Sequence, residues 1–243
     1  LDSIKNPKTL DYNIKNVSVN DLIDKELVLF SISDNIRSIP SLVDGLKPSQ
    51  RKIIYACIKR NLYSEIKVSQ LSGYVSEKTN YHHGETSLMD TIISLAQNFV
   101  GSNNINLFKP NGQFGSRLMG GKDSASERYI FTQLSNITRK IYSIEDDPLL
   151  DYINYDGTIA EPTHYLPIIP MTLINGGKGI GTGFAYEGLC HDPLAVIQYV
   201  KNKLNNKDNI NENVSIEPYY EGFKGTICKE DVKGTTRYIF KGK

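Results

Sequence analysis

Apolar positions fall into helical stripes over the first hundred residues, then into a glycine-punctuated stretch, then into a β-like tail. Residues 1–18 carry little pattern and read as an extended lead-in. Leu22, Ile23, Leu27 and Phe30 fall near one face of a helix running to about Asp34. Asn20 is placed to cap it, and Asp21 and Asp24 suit the positive end of its dipole. Pro40 and Gly45 mark turns, and Pro48 suits a first helical turn. Ile53, Ile54, Cys57 and Ile58 then make an apolar stripe flanked by Arg51, Lys52, Lys59 and Arg60. A short helix is expected over Val68–Ser76. A longer one is expected over Glu85–Val100, where Leu88, Ile92, Leu95, Ala96 and Phe99 recur at helical spacing.

Residues 101–123 change character. Glycines 101, 112, 115, 120 and 121 alternate with Ile105, Leu107, Phe108, Phe114 and Leu118, which predicts a strand pair with a flexible loop. A helix from about Leu134 to Tyr142 follows. Short helices followed by a glycine-rich hairpin are the layout of a winged helix-turn-helix, which sets a helix in a DNA groove and a wing on the backbone. Past an acidic stretch at 143–165 come a proline-rich segment, the run Gly176–Gly183 and a helix over Pro193–Leu204. An asparagine-rich solvent loop over 202–213 and strands near Gly225–Cys228 and Arg237–Phe240 complete the reading. The fold class is α+β.

Composition narrows the classes. The 243 residues suffice for one or two domains, and 39% apolar with 23% charged residues is a globular balance. No apolar run approaches the ~18 residues of a membrane span. Three cysteines without a CxxC pair exclude a disulfide framework or a zinc ribbon and fit a reducing compartment. The chain opens on Leu1, with no secretory signal, and is expected to be part of something longer.

The net charge of +1 hides segregation. Residues 37–60 hold six basic residues against Asp44 alone, and residues 109–140 hold six against Asp123 and Glu127. Residues 143–165 hold six acids and no Lys or Arg. Such basic clusters suit a polyanion, since each neutralised phosphate releases counterions; composition alone fits solvated faces better.

The candidate chemistry is sparse. Gly176–Gly183 matches neither phosphate-loop nor dinucleotide-loop spacing, so a tight backbone turn is the better reading. Ile180 stands alone in that run, either as a core anchor or as an apolar wedge between base steps. His82 and His83 are adjacent and lack a third ligand nearby, which disfavours zinc and leaves phosphate contact or structural bonding. Arg128 precedes Tyr129, and a guanidinium there would favour the phenolate and stabilise a pentacovalent phosphorus. On the dipeptide alone, a packing or surface role is the stronger reading.

Taken together, the segments 37–52, Tyr81–Glu85, Leu95–Asn104, Gly120–Asp123, Arg128–Phe131, Pro167–Met171 and Gly179–Gly183 closely resemble the DNA breakage-reunion core of type IIA DNA topoisomerases, of the eukaryotic topoisomerase II kind. Order and spacing fit without gaps from about residue 20 to 195, and the tail after 205 fits loosely. The resemblance implies residues 1–19 as a lead-in from a TOPRIM domain outside this chain. It implies a winged-helix domain over 20–142 and the beginning of an α/β tower domain over 143–243. Tyr129 would be the nucleophile that forms a reversible 5′-phosphotyrosyl link on duplex DNA, supported by Arg128, with His82 and His83 near the scissile phosphate. Arg37, Lys47 and Arg51, with Asp44 orienting, would line the cleavage site, and Ile180 would insert between base pairs. Mg2+ and ATP would serve the complete enzyme through domains outside this chain, with no metal bound here. A homodimer, a nuclear location and no membrane are implied, and this segment alone is expected to be inactive. A non-catalytic winged-helix DNA-binding module is the alternative. Lys178, where the family commonly has an acid, and Glu127, where small residues or Pro are usual, depart from the pattern.

Overall fold

The computed structural model describes residues 8–205, 216–232 and 234–242. The asparagine-rich segment falls mostly outside them. Helical structure starts at Val19, one residue before the expected cap: Ser18 is the N-cap, and its Oγ accepts from Asp21 N at 3.0 Å. The helix α1 (Val19–Leu22) runs through a π turn over Ile23–Leu27 into α2 (Val28–Ser38). The apolar stripe of this helix stays largely at the surface: Leu22, Ile23, Leu27 and Phe30 are 44–63% exposed.

Helix α3 (Pro48–Lys59) opens with Pro48, and Gln50 Oε1 accepts from Lys47 N at 2.9 Å. It leads through β1 (Ile66–Lys67) into α4 (Val68–Thr79), and α5 (Glu85–Ala96) follows after a left-handed Asn80. Strands β2 (Phe108–Asn111) and β3 (Phe131–Leu134) complete a three-stranded antiparallel sheet of order β1-β3-β2. Ile66 pairs with Thr132 on one side of β3, and Phe108 with Leu134 on the other.

Two expectations fail here. The strand pair inside 101–123 is not formed; only β2 is a strand, and its partner lies beyond residue 130. Gly101, Gly112, Gly115, Gly120 and Gly121 all take positive φ, which breaks a ladder and makes a long ordered loop between β2 and β3. The helix expected from Leu134 shrinks to α6 (Thr138–Ile141), because Leu134 is the buried end of β3.

Beyond residue 142 come a 3-10 turn (Ile144–Leu149) and three hairpins: β4 (Tyr152–Tyr155) with β5 (Thr158–Pro162), β6 (Gly177–Ile180) with β7 (Ala185–Gly188), and β8 (Thr226–Val232) with β9 (Thr235–Lys241). Helices α7 (Met171–Ile174) and α8 (Pro193–Leu204) sit between them, the latter as expected and capped by Asp192.

One buried cluster runs across residue 142, from Ile53, Leu71, Leu88, Phe108 and Leu134 to Tyr165, Met171, Ile174 and Val196. Polar ties reinforce it. Lys52 Nζ lies 2.8 Å from Glu161 Oε1 and donates to Thr79 O at 2.6 Å, pinning α3 to β5. Asn104 Nδ2 lies 3.0 Å from each of Ile174 O, His191 O and Tyr219 O, and Asn104 Oδ1 accepts from Glu221 N at 2.9 Å.

Candidate nucleic-acid interface

The loop between β2 and β3 carries Arg128 and Tyr129, and its order comes from a few polar anchors. Asp123 Oδ1 accepts from Ser116 N and Oδ2 from Ser116 Oγ, both at 2.7 Å. These bonds hold its carboxyl below the usual range. Gln97 Nε2 donates to Phe114 O at 2.9 Å and Gly121 O at 3.1 Å. Gly115 needs to be glycine: φ is +102°, and a Cβ there would stand 2.6 Å from the Gly121 backbone. At the loop's end, Ile130 is buried and Tyr129 N donates to Ser126 O at 2.9 Å. Val68 N donates to Ile130 O at 3.1 Å and Ser69 N to Glu127 O at 3.2 Å. The first amides of α4 have no partner inside their own helix, so they seat the Glu127–Ile130 segment. The Tyr129 ring is left 67% exposed, with the Arg128 guanidinium 5.3 Å from its centroid.

A cleft of about 430 Å3 lies between the end of α2, the start of α3 and α5. Arg37, Lys47, Lys52, His83 and Ile180 line it, together with hydroxyls of Ser49, Ser87 and Thr91. His83 packs edge-on against Tyr81 at 5.4 Å. Its pKa is pushed below the ordinary value, first by desolvation, then by the nearby charges of Arg37, His82 and Lys52. A cavity lined by Arg37, Lys47, hydroxyls and an imidazole, with one carboxylate, Asp34, and with Lys52 already paired to Glu161, suits phosphate oxygens. At its edge the β6–β7 hairpin holds Ile180 72% exposed and Phe184 59% exposed, with Gly181 N donating to Phe184 O at 2.9 Å across the turn.

Comparison with known proteins decides the family. The family model for DNA gyrase/topoisomerase IV A-subunits matches residues 37–243, and a DNA topoisomerase 2 of Candida albicans is 54% identical over 218 residues. The chain belongs to this topoisomerase family.

The topoisomerase segment is widely shared. The Candida match covers 90% of this chain and 15% of the relative. A protein named DNA topoisomerase 2, mitochondrial, from Dictyostelium discoideum is 52% identical over 232 residues, covering 96% of this chain and 18% of the relative. The chain therefore spans less than a fifth of the length of these curated relatives. The crystal structure of a Plasmodium falciparum topoisomerase II DNA-binding, cleavage and re-ligation domain superposes with a TM-score of 0.84 at 46% identity, covering 95% of this chain and 30% of that one.

Within the topoisomerase segment, the site residues expected from sequence divide into four groups. Arg37, Lys47, His83 and Ile180 meet at the cleft, whereas Arg128 and Tyr129 stand on the separate β2–β3 loop, and His82 is exposed but does not line the cleft. Arg51 and Asp44 form a fourth group, paired with each other inside the protein. Both were expected beside DNA; Asp44 is fully buried and Arg51 5% exposed. The physical reason is mutual: each neutralises the other, and Asp44 also accepts from Leu46 N and Tyr165 N at 3.0 and 2.9 Å. They brace the loop after α2.

Sequence reading missed Lys52, Ser49, Ser87 and Thr91 as cleft residues, and Phe184 beside Ile180. The signal for Ser87 and Thr91 was their i, i+4 spacing on the polar face of α5. Lys178, the departure from the family pattern, forms an exposed cross-strand pair with Glu187 at 3.1 Å.

A divalent metal does not fit the residues present. Among the described residues no group of three His, Cys, Asp or Glu is placed to hold one, and Asp34, Asp44, Asp123 and Glu161 are each engaged by protein donors. The glycine run is a hairpin that packs on α2, not a phosphate loop. No described helix is long and apolar enough to cross a membrane.

Proposed function

We propose that this chain is the tyrosine-bearing DNA cleavage and re-ligation segment of a type II DNA topoisomerase. In this reading residues 20–142 form a winged-helix unit and the later residues begin the tower. The order α3-β1-α4-α5-β2-loop-β3 around a β1-β3-β2 sheet supports the first assignment. The observation that carries the chemistry is Tyr129, solvent-facing on an anchored loop beside a guanidinium.

The Tyr129 oxygen attacks a DNA phosphorus as its proton leaves. The bond from phosphorus to the 3′-oxygen breaks, and that oxygen departs as a hydroxyl once protonated. The ester left on Tyr129 keeps the bond energy, so the 3′-hydroxyl can reverse the step without an external energy source. Arg128 lowers the barrier by meeting charge that grows on the phosphoryl oxygens. Arg37, Lys47 and His83 hold backbone phosphates in the cleft, and Ile180 wedges between base steps and bends the duplex.

The complete enzyme would be an ATP-dependent, Mg2+-requiring homodimer acting in the nucleus on duplex DNA. Strand passage, relaxation and decatenation belong to that whole enzyme. In this reading both cofactors would be held by other domains, and this segment alone would be inactive.

Tyr129→Phe tests the reading in a complete enzyme carrying this segment. Phenylalanine keeps the ring and removes the oxygen. DNA affinity should hold while the covalent protein–DNA adduct disappears. An adduct surviving the change would rule out Tyr129.

A further inference from the structure

Ile180 stands on a ribbon of only four pairs, Gly177↔Gly188 to Ile180↔Ala185. An isolated two-stranded hairpin is marginally stable, yet a wedge must resist the recoil of stacked bases. The last turns of α2 supply the missing stiffness. Asp34 Oδ2 accepts from Thr182 Oγ1 at 2.7 Å, and Asn35 Nδ2 donates to Thr182 O at 3.0 Å. Ser38 Oγ donates to the other Asp34 oxygen at 3.2 Å. Thr182 is thus gripped at both its hydroxyl and its carbonyl, two residues from Ile180.

The fit extends along the backbone. A Cβ on Gly179 would collide with Ser38 O, and one on Gly181 with Asn35 Oδ1. Gly177 is similarly close to Pro40. These glycines let the ribbon lie flat on the helix end. Asn35 Oδ1 is itself buried without a partner. That cost is accepted in an arrangement that aims Nδ2 at Thr182 O. Arg37, two residues on, lines the cleft with Ile180.

We propose that Asp34 and Asn35 are positioning residues that clamp the hairpin tip through Thr182 and so fix the angle at which Ile180 enters DNA. This rests on the reading of Ile180 as a wedge. It adds that the helix end, not the hairpin, sets the wedge's stiffness. It also ties the wedge and the cationic cleft to one helical turn, so both move together.

The test uses a complete enzyme carrying this segment and reads DNA bending by energy transfer between dyes at the ends of a short duplex. Thr182→Val keeps the shape and deletes the hydroxyl; Thr182→Ser restores it. Thr182→Val and Asp34→Ala should each lower the ratio of bent to straight complexes by about tenfold, the scale of one hydrogen bond to a charged group. Thr182→Ser should bend like the parent, and melting temperature should hold in all three. If Ile180→Ala reduces bending while Thr182→Val does not, the clamp is overturned and the wedge stands. If Ile180→Ala bends DNA like the parent, the wedge reading fails and takes the clamp with it. A Thr182→Val loss of bending that Ser does not rescue, with a matching fall in melting temperature, also overturns the clamp.

Discussion

Arg51 and Asp44 meet fork to fork inside the protein, Nε 2.8 Å from Oδ2 and Nη2 3.0 Å from Oδ1. Arg51 Nη2 also donates to Leu46 O at 3.0 Å, so the pair closes the loop that carries the chain from α2 to α3. That loop is seated further by Gly45, where φ is +71° and a Cβ would stand 2.9 Å from Thr172 N. A charge pair so placed closes this loop from inside and does not line the cleft.

Asp44→Ala should therefore act on stability and leave the DNA surface alone. It strands the Arg51 guanidinium in the interior, and breaking a buried pair from one side costs about 3–5 kcal/mol. Chemical denaturation should show that loss, and Arg51→Lys should show a smaller one, since Lys keeps the charge but not the fork. The DNA affinity of the folded fraction should stay near that of the parent. Weaker binding at unchanged stability would return both residues to the DNA surface.

How far the sequence could be read follows from what kind of order each part uses. Helices α3, α4 and α5 are legible because their stripes are local and meet a core, although α5 stops at Ala96, short of the expected Val100; α8 is legible with only Val196 buried. The α1–α2 stripe was equally periodic, but periodicity does not say whether a partner surface exists; Phe30 is 63% exposed. The glycine-rich stretch misled because alternation of Gly and apolar residues mimics strands, whereas its shape comes from side-chain anchors such as Asp123 on Ser116. The role of Arg51 beside DNA, with Asp44 orienting, is implied by the family resemblance and not by its charge alone. The fold adds that the Asp44–Arg51 pair is buried, with the guanidinium bound to both carboxylate oxygens. Likewise nothing local flags Asn104, whose partners lie 70 to 117 residues away.

Arg128→Ala should separate chemistry from binding. In the proposed reading its guanidinium would be one cation among several meeting DNA, so affinity should fall only slightly and the salt dependence of binding should lose about one phosphate contact. Removing a preorganised charge at the reacting phosphorus costs on the order of 3–4 kcal/mol of barrier, roughly a hundredfold or more in rate. Single-turnover cleavage and re-ligation, measured beside equilibrium binding, give both numbers. Equal losses in the two would show that Arg128 only binds.

His83 gives a pH signature whose sign can be worked out. Its pKa in the DNA-free chain lies below the ordinary 6.5 because burial and the charges of Arg37, His82 and Lys52 oppose protonation. Asp34 and Lys47 also line the cleft, one charge of each sign. The folded chain binds this proton less readily than the unfolded chain. Its stability therefore falls as pH drops through about 6.5, and the loss levels off below the folded pKa. A DNA phosphate brought into the cleft adds negative charge and raises the same pKa. Binding then takes up a proton, so affinity strengthens as pH falls through that window. Stability and affinity should move in opposite directions. His83→Gln should flatten both trends, read by thermal unfolding and by binding isotherms between pH 5 and 8 at constant salt. If the affinity trend persists in His83→Gln, another group carries it, and His83 is not a phosphate contact.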